Sequence, residues 1–243
     1  MPRAAVLIPA RWASTRFPGK PLHPIAGKPL VQHVWERARE AHGISTVIIA
    51  TDDTRIAEVA VGFGAEVALT SPQCVSGTDR CAEVAARLEG VSHVINVQGD
   101  EPLIDPALIS RLARTLAEEP AIEMITAAVP FGPEEDPTHP HAVKVVLDRA
   151  SNALYFSRSL LPFPRAGGAF PFLRHLGIYG YSVEFLLQFV QWPAGVLETA
   201  ESLEQLRALE HGATIRVLLT QHASVGVDTP ADAITAEALL REL

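Results

Sequence analysis

Mostly apolar runs and amphipathic segments alternate along the first half of the chain. Four runs have the length and the content of Val, Ile and Leu that buried strands need: 3–8, 46–50, 66–69 and 93–97. Four segments between and after them have apolar residues at helical spacing: 29–43, 54–62, 78–90 and 106–116. This alternation predicts an α/β fold, with a mostly parallel sheet and helices on both faces.

The pattern changes after about residue 120, where strand-like runs follow one another with few helices between them. The predicted strands are 123–129, 142–147, 152–156 and 177–181. We interpret the range of roughly 123–200 as a small added β lobe that covers the site, within a single domain of residues 1–243. A helix at 202–211, a strand at 214–219 and a helix at 231–240 complete the prediction.

Composition narrows the class of protein. Hydrophobic residues make up 48% of the 243 residues, which is enough for a large core, and the formal net charge is −8. An acidic surface repels phosphate backbones, which argues against non-specific binding of nucleic acid. We expect no membrane span, no secretion signal and a cytoplasmic location, because the chain has no sufficiently long apolar run and Arg11 follows the start closely.

A basic loop follows the first predicted strand. The segment 9–22 reads PARWASTRFPGKPL and carries Arg11, Arg16 and Lys20 among small residues such as Ser14. Ligands of open α/β sheets bind beyond the carboxyl ends of the strands, and Arg and Lys side chains suit phosphate oxygens. The loop therefore predicts a triphosphate site, although it lacks the Walker A spacing. The alternative interpretation is a solvated basic surface loop.

Two aspartates also follow strand-like runs. Asp100 comes directly after the strand at 93–97, and Asp228 lies in the late segment VGVDTP. Mg²⁺ commonly takes one or two protein carboxylates and completes its shell with phosphate and water, so the pair predicts a magnesium site. Each aspartate has a structural alternative. Asp100 would brace the turn before Pro102, and Asp228 would cap the final helix.

Nine segments together resemble one known family: IPARWASTRFPGKPL, ATDD, SGTDR, VINVQGDEP, VKVVLD, ALYFSR, FLRHLGIYGY, LEQLR and GVDTP. They extend from Ile8 to Pro230, and on them the chain resembles bacterial 3-deoxy-manno-octulosonate (Kdo) cytidylyltransferases. The resemblance implies a Rossmann-like nucleotidyltransferase fold, a homodimer and dependence on Mg²⁺. It also implies the reaction of CTP with Kdo to give CMP-Kdo and pyrophosphate, which supplies lipopolysaccharide biosynthesis.

The resemblance assigns residues to this reaction. On the nucleotide side it implies Arg11, Ser14, Arg16 and Lys20 at the phosphates, with Ser76, Gly77 and Gln98 elsewhere on the nucleotide. It implies Asp100 and Asp228 as magnesium ligands, and Arg11, Lys20 and Asp100 as catalytic residues. On the side of the acidic sugar it implies Arg158, His175, Tyr179, Glu204 and Gln205. A histidine buried in the core is the alternative for His175.

Three other functions fit parts of the pattern. A cytidylyltransferase acting on 8-amino-Kdo or a sialic acid would share the nucleotide loop, so the loop does not discriminate between these sugars. A non-catalytic nucleotide-binding module would not need the paired carboxylates Asp100 and Asp228. A glycosyltransferase would carry a compact DxD-type metal motif, which Asp100-Glu101-Pro102 does not match.

Overall fold

The computed structural model describes residues 3–13, 17–165, 167 and 170–242. In this part of the chain, nine strands form one sheet and two short strands form a separate ribbon. The sheet strands are β1 (Ala4–Ala10), β4 (Ile44–Thr51), β5 (Glu66–Leu69), β6 (His93–Asn96), β7 (Met124–Pro130), β8 (Lys144–Leu147), β9 (Ala153–Ser157), β10 (Leu173–Ser182) and β11 (Ile215–Leu219). The ribbon strands are β2 (Pro24–Ile25) and β3 (Lys28–Pro29).

Helices connect most of these strands. They are α1 (Leu30–Arg39), α2 (Thr54–Gly62), α3 (Gly77–Ala85), α4 (Pro106–Glu118), α5 (Val183–Phe189), α6 (Val196–Glu201), α7 (Gln205–Glu210) and α8 (Pro230–Leu240). A single 3-10 turn at Lys20–Leu22 follows β1. None of the helices in the described residues has the length and apolar character that crossing a bilayer requires.

The main sheet has the strand order β11-β7-β10-β6-β1-β4-β5. Strand β1 is parallel to both β4 and β6, β4 is parallel to β5, and β7 is parallel to β11. Only β10 runs against its neighbours β6 and β7 along this path of described strands. The prediction of a mostly parallel α/β sheet is therefore confirmed.

Both faces of the sheet are covered. All seven residues of β1 are buried, because alternate side chains enter two different cores. Val6 and Ile8 pack with apolar residues of α1, α2 and α4, whereas Leu7 packs on the other face with residues of α3, α5 and α7. A central strand buried on both faces requires a continuous apolar run, which is the pattern that predicted it.

The added β lobe is smaller than the predicted range of 123–200. Strands β7 and β10 lie inside the main sheet, with neighbours on both sides, and six of the seven residues of β7 are buried. The hairpin of β8 and β9 lies off this path and joins it through β10. Apolar strands such as β7 need two covered faces, which a small covering lobe does not provide.

Three helix starts differ from the sequence prediction. The predicted helix at 202–211 starts later, at Gln205, because Ser202 has a left-handed φ of 52° and ends the preceding helix α6, which was not predicted. Ser76 caps α3 and forms a capping box with Asp79, so the helix starts at Gly77, one residue before the predicted start. Thr229, rather than Asp228, caps α8, so the capping alternative for Asp228 does not hold.

Candidate active site

A cleft opens at the carboxyl ends of β1 and β6, where an α/β sheet usually binds its ligand. Its cavity volume is about 370 Å³. The residues that line it are Pro9, Ala10, Arg11, Ala13, Lys20, Pro21, Gly77, Gln98, Gly99, Asp100 and Asp228. The fold thus brings together six residues that the sequence assigned to the nucleotide and the metal, from four separate segments of the chain.

Two glycines allow the loops of the cleft to approach one another. A Cβ atom on Gly99 would lie 2.8 Å from the carbonyl oxygen of Pro9, which is closer than the backbone tolerates. Gly19 has a φ of +71°, and a Cβ atom there would meet the ring of Trp12 at 3.1 Å. Glycine at these positions therefore lets the loop after β1 pack tightly against the rest of the cleft.

The two aspartates meet at one ammonium group. Lys20 Nζ lies 2.5 Å from Asp100 Oδ2 and 3.3 Å from Asp228 Oδ1. The backbone N–H of Val227 donates to the carbonyl oxygen of Asp100 at 2.8 Å, which joins the two loops directly. Val227 is itself buried in a small core with Leu30. Two carboxylates that are remote in sequence thus face the same cation position.

Glu101 follows Asp100 in the sequence and lies against the loop that carries Asp228. Its Oε2 atom is buried, and burial raises the pKa of the carboxyl group to about 7, with the charge of Asp100 acting in the same direction. A Cβ atom on Gly226 would lie 3.2 Å from Glu101 Oε1. The side chain therefore packs against the loop that carries Asp228.

Arg11 and α3 define the other side of the cleft. Arg11 Nη1 donates to the carbonyl oxygen of Val75 at 2.8 Å, which ties the loop after β1 to the segment that precedes α3. Gly77 opens α3, and the N-terminus of a helix favours negative charge. Ser14 and Arg16, which the sequence assigned to the phosphates, lie outside the described residues.

Four residues assigned to the sugar come from β10 and the start of α7. On β10, the rings of His175 and Tyr179 lie 5.4 Å apart between centroids. At the start of α7, Gln205 is buried, and Glu204 Oε2 accepts a hydrogen bond from Thr78 Oγ1 at 2.6 Å. Burial raises the pKa of the Glu204 carboxyl group. Through Thr78, the segment assigned to the sugar contacts the helix assigned to the nucleotide.

Arg158 makes its contacts with backbone carbonyl groups. Its guanidinium group donates to the carbonyl oxygens of Glu201 at 2.7 Å, Pro140 at 3.1 Å and Ser202 at 3.3 Å. These contacts fix the break between α6 and α7, and Arg158 is absent from the lining of the cleft. A contact between Arg158 and the sugar carboxylate stays a prediction.

Comparisons with known proteins show the family to which the chain belongs. A family model described as cytidylyltransferase matches residues 5–215. The chain belongs to the cytidylyltransferase family. A relative from Geobacter sulfurreducens, named 3-deoxy-manno-octulosonate cytidylyltransferase, is 52% identical, with 93% of this chain and 94% of that protein covered. The family resemblance found in the sequence is thereby confirmed.

Two further comparisons bear on this cytidylyltransferase. A relative from Shewanella putrefaciens, named 8-amino-3,8-dideoxy-manno-octulosonate cytidylyltransferase, is 48% identical over 93% of this chain and 94% of that protein. A solved structure of CMP:2-keto-3-deoxy-manno-octonic acid synthetase complexed with CTP superimposes with a TM-score of 0.94 at 42% identity. The match covers 99% of this chain and 100% of the other.

The sequence interpretation of this cytidylyltransferase missed a buried arginine beside the cleft. Arg80, on α3, has no exposed surface, and its Nη2 atom lies 3.2 Å from Asp52 Oδ1. Its Nη1 atom donates to Thr70 Oγ1. Asp52 and Thr70 directly follow β4 and β5, so Arg80 joins two strand ends to the helix that borders the cleft. The signal was present in the segments ATDD and SGTDR, but the pairing was not predicted.

His175 makes the stability of this cytidylyltransferase depend on pH. Burial lowers the pKa of the imidazole to about 3, so the folded protein keeps it neutral in mild acid. The unfolded chain protonates it below about pH 6.5, so the free energy of unfolding falls as the pH falls. Between pH 7 and pH 5 this group accounts for about 2 kcal/mol of lost stability.

We expect His175→Asn to lose about 2 kcal/mol less stability than the parent protein between pH 7 and pH 5. Urea unfolding at the two pH values measures the difference. His42→Asn, at an exposed histidine, controls for the removal of an imidazole in general. Identical pH dependence in the parent protein and His175→Asn would show that the folded protein does protonate His175.

Proposed function

We propose that this protein transfers a cytidylyl group from CTP to Kdo, giving CMP-Kdo and pyrophosphate. The observation that carries the proposal is the meeting of Asp100 and Asp228 at one cation position, on the edge of a cleft lined with Arg11 and Lys20. A non-catalytic nucleotide-binding module has no need for such a pair of carboxylates. The relative that is 52% identical carries the name of a Kdo cytidylyltransferase.

The cleft suits a nucleoside triphosphate with its phosphates toward Lys20. Arg11 and Lys20 provide positive charge, and the first turn of α3 presents backbone N–H groups at Gly77. Gln98 also lines the cleft, and its side-chain amide donates to Asn96 Oδ1 at 3.1 Å. That hydrogen bond fixes the orientation of the Gln98 amide, which leaves its oxygen as an acceptor for an amino group such as that of cytosine.

The residues present fit a magnesium ion. Asp100 and Asp228 offer hard oxygen donors within hydrogen-bond distance of one cationic atom. No group of three or more His, Cys, Asp or Glu residues suited to a metal occurs in the described residues, so substrate oxygens and water would complete the shell. When bound there, Mg²⁺ would supply charge stabilisation at the phosphates and Lewis acidity toward the attacking hydroxyl group.

The reaction follows from this placement. The anomeric hydroxyl group of the sugar attacks the α-phosphorus of CTP in line with the departing pyrophosphate, and no covalent enzyme intermediate is needed. Arg11 and Lys20 offset the charge that develops on the triphosphate. The sugar would lie between β10 and the start of α7, where His175, Tyr179 and Glu204 offer polar groups.

The substrate prediction is tested by supplying CTP and Mg²⁺ with Kdo, its 8-amino analogue or N-acetylneuraminate. We expect kcat/KM for Kdo to exceed that for either alternative by about tenfold or more, since one mismatched polar contact in a site is worth that much. Release of pyrophosphate measures the rate, and mass spectrometry identifies the nucleotide sugar. Faster turnover of the 8-amino sugar would transfer the assignment to that substrate.

We also propose, on the family resemblance, that the protein acts as a homodimer in the cytoplasm and supplies lipopolysaccharide biosynthesis. Exposed apolar side chains at Phe163 and Val196 offer surface that a second subunit could cover. Sedimentation of the purified protein measures the oligomeric state. A monomer at micromolar concentration would remove the dimer from the proposal.

A further inference from the structure

The ammonium group of Lys20 stands where the proposed metal would bind. Its side chain is only 14% exposed, and its Nζ atom contacts Asp100 at 2.5 Å and Asp228 at 3.3 Å. Both contacts use carboxylate oxygens, which are the atoms that a divalent ion needs. The ammonium group and the metal therefore compete for the same ligands.

Backbone hydrogen bonds hold the main chain of Lys20 in place, whereas its side chain is long and unbranched. Gly19 donates its N–H to the carbonyl oxygen of Trp12 at 3.1 Å, and Lys20 donates its own N–H to that of Phe17 at 3.2 Å. Pro21 follows at once in the 3-10 turn and is buried. Four methylene groups separate this fixed Cα from the ammonium group, and each adds a rotatable bond.

Electrostatics explains why a cation is needed here before the metal arrives. The carboxylates of Asp100 and Asp228 share one small region, and two like charges at close range repel each other. An ammonium group within hydrogen-bond distance of both offsets that repulsion without the high cost of dehydrating Mg²⁺. A bound triphosphate changes which cation is favoured at the two aspartates, because it brings a metal ion and also offers the lysine a new anionic partner.

We propose that Lys20 is a resident counter-cation, which holds the Asp100–Asp228 position until a metal–nucleotide complex displaces it and then pairs with the triphosphate. This inference rests on the proposed role of the two aspartates as metal ligands. It makes Lys20 the element that couples the metal to the nucleotide. A metal ion alone must displace the ammonium group without offering it another partner, whereas the metal–CTP complex offers one.

The proposal predicts the direction in which the affinity for Mn²⁺ changes when Lys20 is replaced. Replacement of Lys20 by methionine removes the ammonium charge that contacts both carboxylates. Lys20→Met therefore binds Mn²⁺ in the absence of nucleotide about tenfold or more tightly than the parent protein, as expected for loss of one neighbouring charge. The same variant loses most of the enhancement that CTP gives to Mn²⁺ affinity, because the exchange of partners no longer occurs.

Electron paramagnetic resonance of free Mn²⁺ measures both affinities, and a protein-free sample with CTP corrects for Mn²⁺ held by the nucleotide alone. Lys20→Arg keeps a positive charge and is expected to bind Mn²⁺ alone as weakly as the parent protein. Lys28→Met is the matched control, because Lys28 pairs with Glu36 at 2.7 Å and contacts neither aspartate, and it too is expected to behave as the parent. Thermal unfolding of each variant confirms that it is folded.

The outcomes separate this inference from the proposed function. Equal or weaker Mn²⁺ binding by Lys20→Met without nucleotide overturns the counter-cation role. If the parent protein nevertheless binds Mn²⁺ with CTP, and Asp100→Asn abolishes that binding, the metal site stands and only the inference fails. If Asp100→Asn and Asp228→Asn bind Mn²⁺ with CTP as well as the parent does, the metal site itself is wrong.

Discussion

Asp100→Asn is expected to lower kcat/KM for cytidylyl transfer by about 10³-fold or more while leaving the fold intact. The amide has the size of the carboxylate but lacks the charge that a divalent ion requires, and a metal that stabilises a reacting phosphate supplies several kcal/mol. About 4 kcal/mol of lost transition-state stabilisation corresponds to that factor. Release of pyrophosphate under subsaturating CTP and Kdo measures it.

The fold should tolerate this change because the structural role of Asp100 lies in its backbone. Its carbonyl oxygen accepts the hydrogen bond from Val227, and the substitution does not alter that group. Asp105→Asn is the matched control, since Asp105 caps α4 by accepting from Ala107 N, and asparagine caps helices equally well. Activity of Asp100→Asn within tenfold of that of Asp105→Asn would remove Asp100 from the catalytic site.

Arg80→Met should cause the largest loss of stability, about 3 kcal/mol. Arg80 is fully buried, and its guanidinium group pairs with Asp52 and bonds to Thr70. Methionine cannot donate to the buried Thr70 hydroxyl group or to Asp52, and it does not fill the space of the guanidinium group. In a chain of this length the loss corresponds to a fall in Tm of about 10 °C.

Arg87→Met provides the comparison for this prediction. Arg87 also pairs with a carboxylate, that of Glu83, but its side chain is 56% exposed. Exposed ion pairs contribute about 1 kcal/mol or less, so this variant should differ little from the parent protein. Urea unfolding of both variants measures the free energies. A free-energy loss for Arg80→Met no larger than that for Arg87→Met would contradict the stabilising role of the buried Arg80 side chain.

Hydrophobic spacing was sufficient to predict most strands and helices, but not how the strands are arranged. The run at 123–129 was correctly identified as a strand, yet its place in the main sheet, between β11 and β10, depends on contacts with those two strands. An apolar run carries no information on strand direction, so the reversal of β10 was not predicted. The short helix α6 was missed because none of its six residues is buried, so apolar spacing gives no signal for it.

The candidate site was also predicted only in part: the sequence identified several of its residues but not the contacts between them. Charge and position after strands singled out Lys20, Asp100 and Asp228, and the fold brings them together. The sequence did not indicate that Lys20 would lie between the two aspartates, because that contact joins segments remote along the chain. Arg80 was missed for a related reason: a charged side chain is expected at the surface, and only tertiary contacts with Asp52 explain its burial.

The most direct test is a crystal structure of the protein with CTP and Mn²⁺, in which anomalous scattering locates the metal. We predict a peak within about 2.3 Å of carboxylate oxygens from both Asp100 and Asp228, with phosphate oxygens completing the shell and Lys20 moved onto the triphosphate. A metal held by the phosphates alone, with Lys20 still bridging the two aspartates, would contradict the account.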